Sequence, residues 1–470
     1  MPDQPLAIIV FFLTLGMTVA VAICARLRSP GASSEEDLAG RTLNKWLIGL
    51  SAATTGNSGF IVTGAVGLGY VGGAQWLLLP LGWLMGDLVY WSLFPDRINK
   101  LARESKAITL PELLTHDLEG PTSRGISLLV AVILTIFLTI YTSAQWLAGE
   151  KFLGGVLHLG TAQALLIFGA IIVLYSAIGG FRGSVYVDTL QAVIRLGGTA
   201  LALWLVCSAA MGLGDQFWAN VASAGGDFLS LTADRGLVGA GAFALGFAGA
   251  AVGFGLGQPQ IITRYMAGES PEETKAARWI YILFLQVTWL SMTIFGMVLR
   301  GVDPGISDPE TGLSLFFQHN VGAIATGIIF ADVFATIAGT ANGVLISISQ
   351  TIRRDMLRLE EGGVKHAWIY TLVLGLISIA LSFWLPGDVY TIAVGAISMI
   401  GAALAGAVLI KIFQIRHSAR SILLAIVAGT SAAAIWRTTG LSGTFNETAI
   451  GIAASLVVNY LFRVRRVHRI

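Results

Sequence analysis

The sequence predicts an all-α integral membrane protein of thirteen transmembrane helices, in which spans 2–6 and 7–11 form two inverted five-helix repeats. Three observations carry this. Of the 470 residues, 55% are hydrophobic and only 12% charged, with a mean hydropathy of +0.76; a soluble domain carries roughly 25% charged residues. Thirteen segments approach the ~20 mostly apolar residues needed to cross a bilayer. Two of these, five spans apart and of opposite direction, are interrupted by small and polar residues.

The segments lie near 5–27, 45–70, 74–96, 124–147, 160–180, 184–211, 236–260, 277–300, 321–350, 366–385, 388–413, 420–437 and 444–462. The opening run "PLAIIVFFLTLGMTVAVAICA" is too long for a signal-peptide core and lacks a basic region before it, so it counts as a span. The longest connections, 97–123 and 212–235, are short. The chain is expected to be a single transmembrane domain: a peripheral first helix and loop (1–44), an inverted-repeat core (45–413) and two peripheral C-terminal helices (414–470).

Lys and Arg set the orientation, because cytoplasmic loops carry their excess. With the N-terminus outside, the inner side collects Arg26, Arg28, Arg41, Lys45, Arg97, Lys100, Arg103, Lys106, Arg124, Arg182, Arg264, Lys275, Arg278, Arg353, Arg354, Arg358, Lys365, Lys411, Arg416, Arg420, Arg463, Arg465, Arg466 and Arg469. The outer side keeps Lys151, Arg235, Arg300 and Arg437. The expectation is a multi-pass protein of the inner (plasma) membrane with its N-terminus outside and its C-terminus cytoplasmic. The net charge of +2 says little about partners, nothing in the sequence suggests nucleic acid, and Cys24 and Cys207, both in apolar runs, indicate neither a disulfide framework nor a metal site.

The two interrupted spans carry "SAATTGNSG" (51–59) and "GFGLGQPQ" (253–260). Glycine tolerates unwinding, and Pro259 cannot donate a backbone hydrogen bond. Freed carbonyls at such a break can hold a cation and freed N–H groups an anion. Matched breaks in two inverted halves point to a transporter with its binding site at the breaks. Taken singly, each stretch is equally well read as small residues that let helices pack closely.

Further residues carry a family resemblance. "AGRTLNKWLIGLSAATTGNSGFIVTG", "LYSAIGGFRGSVYVDTLQA", "GFGLGQPQIITRYMA" and "GIIFADVFATIAGTANG" together resemble the sodium/solute symporter family, and within it the sodium/proline symporters, from about residue 36 to 415. The resemblance implies a LeuT-type fold with sodium, Na+, as the coupling ion. It also implies a sodium site at the carbonyls of Thr54 and Asn57, the Gly339–Thr340 pair and the carboxylate of Asp188. Oxygen ligands and a neutralising charge are what a hard cation needs in low dielectric. The substrate is expected beside Gly56, Ser58, Tyr141, Gln145, Gly255 and Gln258, with Arg195 as a further contact. The chain departs from the proline symporters at Gly56, where they carry aspartate, and at Gly339, where they carry the first serine of a Ser-Thr pair. Small residues at Ala251 and Gly255, in place of aromatics, imply an enlarged pocket that excludes proline as the best substrate.

Ionisable groups inside a membrane are expensive and mostly functional or paired. Asp87, in "WLMGDLVYW", has no obvious partner; a water-filled vestibule and a bond to a neighbouring helix are both open to it. Asp188 and Arg195 are seven residues apart on span 6, about 10 Å along a helix. Asp332 and Thr340 are eight apart on span 9, about 12 Å. If these spans are antiparallel neighbours, Asp188 meets Thr340 at one depth and Arg195 meets Asp332 at another. Arg195–Asp332 then forms an ion pair; the alternative is that Arg195 holds a substrate carboxylate. Glu150, Lys151 and His158 read as a solvated outer helix end.

These readings converge on a cation-coupled secondary symporter that imports a small organic solute, such as an amino acid or small carboxylate, and catalyses no covalent chemistry. Its partners are the solute and the lipid bilayer, and the sequence names no protein partner. Proton coupling through Asp188 or Asp332, and a solute-binding membrane sensor, are the alternatives.

Overall fold

The computed structural model describes residues 4–27, 34–157, 159–359 and 367–463; Arg28, His158, Lys365, Arg465, Arg466 and Arg469 lie outside the described residues. The chain forms α1 (Gln4–Leu27), α2 (Lys45–Gly56), α3 (Gly59–Val62), α4 (Gly64–Gly72), α5 (Leu78–Leu93), α6 (Pro95–Ser105) and α7 (Leu110–Thr115). It continues through α8 (Pro121–Leu157), α9 (Thr161–Leu213), α10 (Asp215–Ala222), α11 (Gly236–Gly257), α12 (Pro259–Met266), α13 (Pro271–Ala276) and α14 (Arg278–Val302). It ends with α15 (Gly312–Asn320), α16 (Ala323–Thr351), α17 (Ala367–Ser382), α18 (Val389–Ile412), α19 (Ala419–Thr438) and α20 (Glu447–Phe462).

Each of the thirteen expected segments is helical over most of its described length. Among the described residues, nine helices are long and apolar enough to cross a membrane, and 161–174, 367–382 and 447–462 add shorter apolar ones. The connection between spans 5 and 6 is shorter than the sequence indicated. α9 carries both, and a single residue, Gly180, at φ 61° and ψ −174°, separates them. An L side chain rarely adopts that φ, so glycine makes the bend possible.

The breaks fall where the sequence placed them. α2 stops at Asn57 (φ −88°, ψ 74°), which leaves the helical region, and the chain resumes as α3 after Ser58 in extended backbone (ψ 175°). α11 stops at Gln258 (φ −90°, ψ 109°), and Pro259 opens α12. A proline at the first helical position gives up an N–H that has no intrahelical partner anyway.

α16 is buried along almost its whole length and packs against α9, α1, α8 and α2. α11 packs against α5 and α18, and α14 against α4 and α9. Small residues allow these close approaches. A Cβ on Gly296 of α14 would lie 2.0 Å from Val66 O, and one on Gly86 of α5 would lie 2.2 Å from Ala248 O. In a bilayer such backbone proximity carries helix association, because lipid offers no hydrophobic drive between helices.

Candidate binding site at the two broken helices

A cavity of about 30 Å3 lies beside the first break. That is room for about two waters. Gly56 and Ser58 contribute the break itself, and Tyr141 of α8 faces it. The remaining wall is aromatic and aliphatic: Phe60, Trp83, Phe247, Phe254, Leu285, Trp289 and Ile397 among others. No carboxylate or guanidinium lines it. Above it, Phe60 packs on Trp289 and Tyr390, each at 5.5 Å between ring centroids, and Trp76 covers Tyr390 at 5.9 Å. Trp83 closes another side against Phe254 and Trp289, both at 5.4 Å. A solute of amino-acid size therefore enters only when these walls move.

The polar residues around the first break bind the chain to itself. Gln145 Oε1 accepts from Gly59 N at 2.9 Å, so it caps α3 from α8 and does not line the cavity. The Asn57 side chain donates to Thr288 Oγ1 of α14. At the second break, Gln258 donates to Ile397 O at 3.3 Å and accepts from Gln260 Nε2 at 3.0 Å. Gln258, too, is outside the cavity wall.

Gly255 requires a correction. It was expected to widen the substrate pocket, but its open side is filled by Tyr90 of α5. A Cβ there would lie 2.5 Å from the Tyr90 ring, and the Tyr90 hydroxyl donates to Gly255 O at 3.0 Å. Ala251 likewise faces Gly86 of α5. Phe254 and Phe247 supply the aromatic wall from α11, so the small residues at 251 and 255 give no reason to exclude proline.

Away from the cavity wall, α2, α9, α12 and α16 meet at Asp188, whose side chain is fully buried. Asp188 Oδ2 accepts from Ser51 Oγ (2.6 Å), Thr55 Oγ1 (3.2 Å) and Arg264 Nη2 (3.1 Å). Oδ1 has no partner among the described residues. Arg264 Nη2 also donates to Ser184 (3.0 Å), Nε to Ser51 (3.1 Å) and Nη1 to Gln260 O (2.6 Å). Arg264 was placed at an inner helix end by the charge rule; it is instead fully buried within the bundle.

Thr54 Oγ1 donates to the backbone carbonyl of Asp188 at 3.1 Å, and Thr340 Oγ1 to Thr55 O at 2.9 Å. A Cβ on Gly339 would lie 2.9 Å from Gln191 Oε1, 2.9 Å from Thr54 Cγ2 and 3.6 Å from Asp188 Oδ1. Gln191 Oε1 is also without a partner among the described residues. Two buried acceptor oxygens, one carrying charge, thus converge where Gly339 lacks a side chain. The structure brings Thr54, Asp188, Gly339 and Thr340 together; the Asn57 side chain turns away toward α14. Sequence reasoning missed Ser51, Thr55, Ser184, Gln191 and Arg264.

Arg195 and Asp332 meet as their depths implied. Arg195 Nη1 donates to both Asp332 oxygens at 3.0 Å, with side chains 2% and 1% exposed. Asp332 packs on Gly198, and Thr336 Oγ1 donates to it at 3.4 Å. Arg195 does not line the cavity beside Gly56. Lys151 is also no free surface charge: it pairs with Asp308 and Glu310, each at 2.8 Å.

The model of the sodium:solute symporter family matches residues 38–429. The chain belongs to that family. It is 24% identical over 441 residues to the high-affinity proline transporter PutP of Bacillus subtilis (strain 168), covering 89% of this chain and 90% of the relative. It is 25% identical over 444 residues to the sodium/proline symporter of Escherichia coli (strain K12), covering 87% and 83%. Among solved structures, a substrate-bound, outward-open Na+-coupled sialic acid symporter superposes with a TM-score of 0.80 at 19% identity, over 97% of each chain. Mhp1, a nucleobase-cation-symport-1 family transporter in a closed conformation, gives 0.53 at 14% identity, over 92% of this chain and 94% of the other. The fold is the LeuT type. This symporter is a multi-pass membrane protein that couples sodium to the movement of a small solute, and it is not an enzyme.

Proposed function

We propose that this symporter imports an apolar, zwitterionic amino acid. The observation that carries the reading is the cavity wall: aromatic and aliphatic, without a charged side chain, and bounded on one side by the unwound Gly56–Ser58 backbone. A solute with net charge would be desolvated there without a partner, which costs several kcal/mol. A zwitterion has no net charge, and the backbone dipoles at the break match its ends. Proline, named in the curated relatives, is one member of this class.

In this reading sodium sits at the inner corner, with the carbonyls of Thr54 and Asn57, the Thr340 hydroxyl and Asp188 as ligands. α2 is the shared element, because its break offers carbonyls to the ion and its next residues face the solute. Sodium and solute then stabilise one arrangement of α2 together, which is how an ion gradient drives uptake. Residues 45–413 act as the core, with 1–44 and 414–470 peripheral, the N-terminus outside and the C-terminus cytoplasmic.

Thermal-stability measurements on the purified protein across the natural amino acids, in sodium and in potassium at one pH, test the proposal. Apolar amino acids are expected to stabilise the protein in sodium only. Stabilisation by cationic or anionic solutes, with no response to apolar amino acids, would contradict it.

A further inference from the structure

Asp87, Asp188 and Asp332 are buried inside spans. Asp188 has Arg264, and Asp332 has Arg195. Asp87 of α5 is 2% exposed, its Oδ2 has no hydrogen-bond partner, and no basic side chain pairs with it among the described residues. We propose that Asp87 is a proton-binding site, occupied in the closed arrangement of the broken helices.

Its surroundings carry the argument. One turn toward the cavity is Trp83, which forms part of the cavity wall. One turn the other way is Trp91, packed against Tyr265 at 5.0 Å and Tyr281 at 4.9 Å. The titratable groups in electrostatic reach of Asp87 are Tyr90 on α5, Tyr265 on α12 and Tyr281 on α14. From α11, Ala244, Ala248 and Ala251 pack against Gly82 and Gly86, and Phe254 against Trp83; none of these carries a charge. The nearest cations face elsewhere. Arg264 directs its donors to Asp188, Ser51, Ser184 and Gln260. Arg278 of α14 reaches Ser92 at 3.4 Å on the exposed inner side. Arg97 of α6 lies over Phe413, and Arg235, at the outer side, over Trp76 and Phe243.

An ionised carboxylate in an apolar site costs several kcal/mol unless a cation or several donors meet it. Asp87 has neither, and a bound proton removes the charge altogether. A proton also needs no space, which suits a position where rings pack on both sides. The site adjoins the transport machinery: the Tyr281 hydroxyl lies 3.5 Å from where a Cβ on Gly56 would be. Wall movements that wet Trp83 wet Asp87 one turn below and ease loss of the proton. The closed arrangement therefore binds the proton more tightly, and by linkage a rise in pH favours the opened ones. This role in the cycle rests on the symport reading; the protonation itself does not.

Infrared spectroscopy of the full-length protein in liposomes, in sodium-free potassium buffer at neutral pH, tests the site directly. A protonated carboxylic acid has a carbonyl stretch that a carboxylate lacks, and exchange into D2O shifts it. The expected result is an acid band in the unmodified protein with a component lost in Asp87→Asn, whose neutral amide matches the acid in shape. If Asp87→Asn fails to fold, Asp87→Glu, which keeps the acid, is expected to move the band. No acid band in the unmodified protein overturns the proposal, as does a band unchanged in Asp87→Asn or in Asp87→Glu. A band abolished by sodium at constant pH would make Asp87 a ligand of the ion and likewise overturns it. Failure of sodium-driven uptake would leave this band in place, so the two readings fail separately.

Discussion

Arg264 Nη2 stands 3.1 Å from Asp188 Oδ2, with both side chains fully buried, and the pair ties the short helix after the second break to α9 and, through Ser51, to α2. Among the described residues, every donor to the Asp188 carboxylate goes to this one oxygen. The guanidinium thus holds the carboxylate from one side and leaves Oδ1 turned toward Gly339 and Gln191. Removing either partner leaves a buried, uncompensated charge, which costs about 3–5 kcal/mol. Arg264→Met and Asp188→Leu are each expected to lower the yield and thermal stability of folded protein sharply, with the double variant recovering much of the loss. Fluorescence-detected size exclusion after heating reads this.

The same logic applies to Arg195 and Asp332, with a different expectation for transport. Their pair lies outside the cavity wall. Arg195→Met and Asp332→Leu singly should each reduce folded protein, and together should restore it. The double variant is also expected to retain sodium-driven uptake, since neither group faces the cavity. A folded double variant without uptake would give the pair a transport role.

Gln191 tests the ion corner without disturbing a salt bridge. Its amide oxygen and Asp188 Oδ1 are the unpartnered acceptors beside Gly339. Gln191→Leu is expected to raise the sodium concentration for half-maximal activation about tenfold, equivalent to about 1.4 kcal/mol. Folded yield should change little. An unchanged sodium titration would remove Gln191 from the site.

Gly255→Ala separates packing from specificity. The new methyl would meet the Tyr90 ring at 2.5 Å, and overpacking of this kind costs about 1–3 kcal/mol. Thermal stability should fall while the ranking of competing solutes stays as it was. A changed ranking at unchanged stability would return Gly255 to the binding site.

Between α7 and α8, Asp117 meets Lys411 and His417. Burial alone would raise its carboxyl, but the bonds from His417 and Lys411 outweigh that and hold it well below the usual carboxylate range. The folded-state value is depressed, so the contribution is full above the ordinary carboxylate value, declines as pH falls below it and is gone only below the lower, folded-state value. Asp117→Asn should lower thermal stability at neutral pH, and the difference should shrink progressively below the ordinary carboxylate range and vanish only at strongly acidic pH. A difference that already vanishes near the ordinary carboxylate range would contradict this.

The spans and both breaks were legible because hydrophobicity and helix interruption are local properties. The Arg195–Asp332 pair was legible because helical rise converts sequence separation into depth. Two errors have a common origin. Arg264 reads as a charge at an inner helix end because the charge rule counts distance along the chain and α12 is only eight residues long; the structure buries it inside the bundle. Its place just past Pro259 was the available signal for burial. Gly255 was assigned to the pocket because motif alignment gives a position on the helix, not what another span places against it. Tyr90, contributed by α5, takes that space. Gln191 and the α3 cap by Gln145 likewise depend on side-chain direction across helices, which no single stretch encodes.

In the proposed cycle, sodium held where α2, α9 and α16 meet drives solute uptake. The most direct test is uptake of a radiolabelled apolar amino acid into proteoliposomes, under an inward sodium or an equal potassium gradient at one pH, for the unmodified protein and Thr340→Ala. Thr340 joins α16 to α2 through Thr55 O at 2.9 Å, and its removal leaves the buried charges untouched. The account predicts accumulation with sodium only, and for Thr340→Ala a sodium requirement raised at least about tenfold. Equal accumulation under the two gradients, or an unchanged sodium titration in Thr340→Ala, would contradict it.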